Sequence, residues 1–298
     1  MNRPRALTVA SVPMAIGLAW RQHRKTVRAV DGHPSIAPEL PGECRQIATS
    51  WGSISYRWVR GDPDRPALVL VHGWGKSADS TWWPVVTACD RTMVVIDLPG
   101  HGRSLLDQPF TFELAAEVVN RVIEDAEVER PLLVAHSMGG PVVLTALRGR
   151  DPESLSGLVV LASAAYWAKP RLRAVLAMAP YAMAPRSPVL IHKELAELRH
   201  APELAPHIAW AYGLRPLRHL LREAAVALSR FDSRGWTDLV PPSTVWVVAT
   251  QDRVLSPAHQ RASAALFGAE VVELDVEHSM LLQAREQILG LLERAGCV

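Results

Sequence analysis

The chain has 298 residues, 49% hydrophobic and 21% charged, with 32 Lys and Arg against 30 Asp and Glu. That composition excludes a disordered chain, a collagen and a coiled-coil rod, and a formal charge of +2 argues against a protein built mainly to bind nucleic acid. Cys44, Cys89 and Cys297 are too few and too scattered for a disulfide framework or a zinc cage.

Residues Ala6–Trp20 form an uncharged stretch with Arg3 and Arg5 before it and Arg21, Arg24, Lys25 and Arg28 after it. As a helix it would be about 22 Å long, short of the roughly 30 Å hydrocarbon core of a bilayer. Three readings stay open. Gly17 and Ala19 offer a signal-peptide cleavage site, although the basic cluster just beyond disfavours it. The stretch could instead lie in a membrane interface with Trp20 at the boundary, or cover the domain's own surface. A cytoplasmic or peripherally membrane-associated location follows from the last two. Arg outnumbers Lys 28 to 4, which points to a GC-rich genome. Residues 1–42 are therefore set apart as an apolar segment plus a linker, Asp31–Gly42, carrying three prolines.

Cys44–Ser50 and Ser53–Val59, joined at Trp51-Gly52, predict an antiparallel hairpin. Beyond it come short apolar runs: Ala67–Val71, Thr92–Ile96, Pro131–Ala135, Gly157–Ala162, Thr244–Ala249 and Ala269–Leu274. Such runs suit strands buried on both faces of a parallel sheet. Between them, Leu114, Val118, Val122 and Ile123 share a helical face, as do Val142, Val143, Ala146 and Leu147. Leu281, Leu282, Ile288, Leu289 and Leu292 mark a last helix. Strand–helix alternation of this kind predicts an α/β sheet with ligands above the carboxyl ends of the strands. The alternation breaks at residues 164–236, a segment rich in proline and arginine with a helical face at Leu217, Leu220, Leu221, Ala224 and Leu228. By its position this insertion is expected to cap the strand ends, leaving 43–163 and 237–298 as the core.

Three short signals follow strands. Ala135-His136-Ser137-Met138-Gly139-Gly140 places a serine on a sharp strand-to-helix turn, where small flanking residues let the turn pass close to its neighbours. Val71-His72-Gly73-Trp74-Gly75 offers backbone N–H groups; those of Trp74 and Met138 could together hold an oxyanion. Asp97-Leu98-Pro99-Gly100-His101-Gly102-Arg103-Ser104 contains two titratable groups, Asp97 and His101. They are expected to shape the loop beneath the site, because a base must reach the serine proton and later residues are better placed. Those residues are Asp252, after the Thr244–Ala249 run, and His278, after the Ala269–Leu274 run. Nucleophile, orienter and base then fall in the order Ser137, Asp252, His278 at successive strand ends. The other histidines lack metal-ligand spacing, and no phosphate-cradling glycine loop is present. Neither a metal nor a cofactor is expected.

Together these motifs resemble the α/β-hydrolase superfamily, over about residue 43 to the end. The resemblance implies a mostly parallel eight-stranded sheet flanked by helices, with a helical cap inserted after the sixth strand. It makes Ser137 the nucleophile, Asp252 the acid and His278 the base. A serine at the elbow argues against the epoxide-hydrolase and haloalkane-dehalogenase branches, which attack through a carboxylate. Ala135 and Ala249-Thr250 stand where relatives often have glycine. The implied activity is that of a carboxylesterase or lipase on a small-molecule acyl substrate. Thioester hydrolysis, carbon–carbon cleavage, peracid formation and a non-catalytic binding module of the same fold remain as alternatives.

Overall fold

The computed structural model describes residues 34–166, 202–213 and 218–295. Ala6–Trp20 and Leu217 lie outside the described residues. Among the described residues, no helix is long and apolar enough to cross a membrane.

Strands β1 (Glu43–Thr49) and β2 (Gly52–Val59) pair antiparallel with Thr49 opposite Gly52. The turn is thus Ser50-Trp51, one residue earlier than the sequence suggests. Gly52 already belongs to the ladder and holds φ at +140°, a conformation open to glycine and costly for other residues. The remaining strands are β3 (Leu68–Val71), β4 (Met93–Ile96), β5 (Leu132–His136), β6 (Gly157–Leu161), β7 (Thr244–Ala249) and β8 (Glu270–Leu274). All eight form one sheet in the order β1-β2-β4-β3-β5-β6-β7-β8. From β4 to β8 every neighbouring pair is parallel.

β3 to β6 are fully buried, as expected of strands covered on both sides. Alternate residues serve opposite layers. Val69, Val71, Leu133 and Ala135 face a core shared with helices α2 (Phe112–Asp125) and α3 (Gly139–Ala146). Leu68, Leu70, Leu132 and Val134 face a second core formed with α1 (Ala78–Val86) and the C-terminal helices. Each fully buried aliphatic side chain contributes roughly 1.5–3 kcal/mol. β8 departs from expectation. It is the sheet edge, and Val271 is 43% exposed.

Between β6 and β7 the described chain forms α4 (Ala205–Gly213) and α5 (Arg218–Arg230). Proline-rich residues 34–42 are tied to the insertion. Ile36 N–H donates to Pro206 O at 3.1 Å, and Ile36 O accepts from His207 Nδ1 at 2.8 Å. After β7 comes α6 (Pro257–Leu266), and after β8 two helices rather than one: α7 (Met280–Gln283) and α8 (Arg285–Arg294). The break is Ala284, at φ −127° and ψ 36°.

Candidate active site

The site begins with strand register. Val71 at the end of β3 lies opposite Ala135 in β5, so His72-Gly73 beyond β3 run beside His136, the last residue of β5, and Ser137. β3 has β4 on one flank and β5 on the other, and the chain's winding reverses there, which opens a crevice above the strand ends. Ser137 takes φ +54°, a left-handed conformation that costs a non-glycine residue on the order of 1–2 kcal/mol. Its neighbours hold it there. Ser137 N–H donates to Leu161 O at 2.9 Å. Ser137 O accepts from Ser163 Oγ at 2.6 Å and from Gly140 N at 3.0 Å. A side chain at Gly139 would come within 2.5 Å of Val71 O, and one at Gly73 within 3.0 Å of Ser137 Cβ. The two turns are packed against each other with no room for larger residues.

Ser137, Asp252 and His278, far apart in sequence, meet. Ser137 Oγ lies 2.8 Å from His278 Nε2, and His278 Nδ1 lies 2.6 Å from Asp252 Oδ2. Asp252 and His278 are buried. The Asp252 carboxylate accepts four hydrogen bonds. Val254 N and Leu255 N reach Oδ1 at 2.7 and 2.9 Å; Gln260 Nε2 reaches Oδ2 at 2.8 Å beside His278. Burial alone would push this carboxyl up. The His278 ring and the loop amides outweigh burial and hold it below the usual aspartate range.

Two supporting residues escape sequence reasoning. Gln260, on α6, is fully buried; besides holding Asp252 it accepts from Ala249 N at 3.1 Å. His136 Nε2–H donates to His278 O at 3.0 Å, and the two rings lie 5.2 Å apart. The signal for Gln260 is faint: one amide in the first turn of the helix that follows the acid.

The loop after β4 is structural, as expected. Asp97 accepts from Ala78 N at 2.7 Å and from Arg103 N at 3.0 Å, joining the start of α1 to the glycine-rich turn. Burial pushes its carboxyl up to about 6. His101 Nδ1–H donates to Pro99 O at 2.9 Å. His72 Nδ1–H donates to Gly73 O at 2.9 Å, and its Nε2 accepts from Leu98 N at 3.1 Å. Burial pushes His72 down to about 3 and His101 to about 4, so both rings are neutral braces. Nearby, buried Asp79 takes both forks of Arg57, at 2.8 and 2.9 Å, and Arg103 at 2.7 Å.

Met138 follows the serine directly, and Trp74 follows Gly73, which packs against Ser137. Met138 is the residue at which α3 begins, so its amide belongs to the helix terminus that favours negative charge. Neither amide has a hydrogen-bond acceptor among the described residues. The Trp74 ring is buried, and its Nε1–H donates to Leu221 O in α5 at 2.8 Å.

Comparison with known proteins agrees with this architecture. Residues 68–290 match the Alpha/beta hydrolase family. A pimeloyl-[acyl-carrier protein] methyl ester esterase of Edwardsiella ictaluri (strain 93-146) is 39% identical over 98 residues, 32% of this chain and 36% of that protein. The chain's match therefore spans only about a third of that relative's length. Among solved structures, the enol-lactonase of Burkholderia xenovorans LB400 superposes with TM-score 0.72 at 21% identity, covering 84% of this chain and 98% of that one. An esterase from Exiguobacterium antarcticum gives 0.73 at 17% identity, covering 85% and 98%. With the family matched from β3 to α8 and the sheet order and strand-end turns in place, this chain belongs to the alpha/beta hydrolase family.

Proposed function

We propose that this protein is a serine hydrolase that cleaves carboxylic esters through an acyl-enzyme. The observation that carries the reading is the unbroken line from Asp252 Oδ2 to His278 Nδ1 and from His278 Nε2 to Ser137 Oγ, at 2.6 and 2.8 Å. Ser137 Oγ attacks the ester carbonyl while its proton passes to His278 Nε2. Asp252 keeps the ring in the tautomer that can accept it and balances the imidazolium that forms. The carbonyl oxygen, now negative, is received by the N–H groups of Trp74 and Met138; each such donor is worth on the order of 3 kcal/mol in the transition state. The imidazolium returns the proton to the departing alkoxide, releasing the alcohol. Water then attacks the acyl-enzyme with His278 again as base, and the acid leaves.

Several relatives act on esters by their names, among them the methyl ester esterase above and protein phosphatase methylesterase 1 of Bos taurus. Their chemistry supports an ester as substrate here. Residues 164–236, inserted between β6 and β7, serve in this reading as the cap that shapes the acyl pocket. A small activated ester should give a burst of leaving group equal to the enzyme present, and Ser137→Ala should abolish it. Turnover of the alanine variant at the parental rate would remove Ser137 from the mechanism.

A further inference from the structure

We infer that Trp74 is a positioning residue. Its indole N–H ties the turn that carries an oxyanion-binding amide to helix α5 of the insertion, so that α5 is a working part of the catalytic centre as well as a cover. The inference rests on the acyl-hydrolase reading above and adds a mechanical role to it.

The turn after β3 needs such a tie. Beyond Val71 the chain leaves the ladder, and Gly75 takes φ +70°, so no strand pairing fixes the direction of the Trp74 amide. Two anchors do. On one side His72 is locked between Gly73 O and Leu98 N. On the other, Trp74 Nε1 reaches across 147 residues to Leu221 O at 2.8 Å, with the ring 5% exposed. Gly73, between the anchors, is pressed against Ser137. A small rotation of this turn would therefore swing the Trp74 amide relative to the serine.

α5 is itself held firmly enough to act as an anchor. Glu223 Oε2 accepts from Phe110 N at 2.9 Å. The Leu220 side chain covers Gly100, where an added Cβ would meet it at 2.7 Å. Leu221, Ala224, Ala225 and Leu228 share a core with Trp74, Phe110 and Phe112. Leu221 O also lies inside α5, where a helical carbonyl accepts from the amide four residues on. Loss of the indole N–H thus leaves no unpartnered acceptor, and substitution at Trp74 reads out positioning rather than the cost of a stranded carbonyl.

The test is Trp74→Phe, which keeps a buried aromatic ring and deletes the donor. Competent sites are counted by titration with a fluorophosphonate, and kinetics are measured on a small activated ester. The expected result is a kcat per titrated site about tenfold lower, part of the 10²–10³ lost when a donor is removed outright, with KM within twofold. Affinity for an alkylboronic acid, a tetrahedral mimic, should weaken by the same factor. A merely structural role would lower the thermal midpoint and the titrated fraction while leaving kcat per site intact, and that outcome would overturn the inference. If Trp74→Phe does not fold, Glu223→Ala decides: loosening the α5 anchor should lower kcat per site several-fold at constant KM, and no change would refute the coupling. A parent enzyme that reacts with no fluorophosphonate would instead refute the acyl-hydrolase reading.

Discussion

Replacing His101 with asparagine should make the fold less sensitive to acid. His101 is fully buried between His72 and Phe110, with ring centroids 5.2 and 6.0 Å away, and its Nε2 has no hydrogen-bond partner among the described residues. Burial holds it at about 4, partly offset by its bond to Pro99 O, against about 6.5 in an unfolded chain. The folded state therefore binds fewer protons than the unfolded one between these values. Stability contributed by the neutral ring is complete above pH 6.5 and is lost as pH falls from there toward 4. Between pH 7.5 and 4.5 the loss is about 2–3 kcal/mol for His101, and of similar size for His72. Asp97 acts in the opposite sense. Its carboxyl is raised to about 6, so protonation favours the fold as pH drops, returning about 2 kcal/mol by pH 4.5. Together these three groups predict a net loss of about 3 kcal/mol over that interval. His101→Asn keeps a donor for Pro99 O and cannot titrate. It will be less stable at every pH through lost ring packing, so the informative quantity is the slope. Unfolding free energies from urea titrations at pH 7.5 and 4.5 should differ by about 2–3 kcal/mol less in the variant than in the parent. Equal slopes would show that His101 is not held neutral by burial, and the argument for a rigid brace beneath the site would fail with it.

Two further outcomes follow from the supporting network. Gln260→Leu keeps the volume but removes a donor to Asp252 and strands the Ala249 amide; chemical denaturation should show a loss of roughly 1–3 kcal/mol, with kcat falling more than KM rises. An unchanged kcat would mean that the two loop amides hold Asp252 unaided. Asp79→Ala leaves the Arg57 guanidinium, 8% exposed, without its carboxylate partner and should cost about 3–5 kcal/mol, most of it recovered in Arg57→Met/Asp79→Leu. Equal stabilities of single and double variants would contradict the idea that a stranded charge is what costs the energy.

What could be read along the chain was what local pattern carries. Strands buried on both faces appear as unbroken apolar runs, and the proposed reacting groups sit just beyond them, so Ser137, Asp252 and His278 could be named before their proximity was known. α1 could not. All nine of its residues are buried, which erases the polar face that makes a helix periodic, and Pro84 within it reads as a breaker. β8 was misjudged for the converse reason: an apolar pair in Glu270–Leu274 looks the same whether a strand is central or at an edge, and only the sheet order exposes Val271. Gln260, His136 and the Trp74–Leu221 tie are tertiary facts. Their partners lie 8, 142 and 147 residues away, and no local spacing announces them.

In the proposed mechanism, the choice of His278 as base among several histidines has a physical explanation in what each ring touches. His72, His101, His136, His207 and His259 all spend a ring nitrogen on a backbone carbonyl. A carbonyl fixes a tautomer but offers little to stabilise an imidazolium, and for His72 and His101 burial penalises the charge further. Among the described residues, His278 alone has a carboxylate at Nδ1 and a hydroxyl at Nε2. A proton gained at Nε2 is thus balanced by the negative Asp252, itself kept ionised by Gln260 and two amides. Burial holds His72 and His101 neutral, while the contacts of His278 suit a ring that changes charge. That asymmetry, more than proximity to the serine, is what distinguishes a base from a brace.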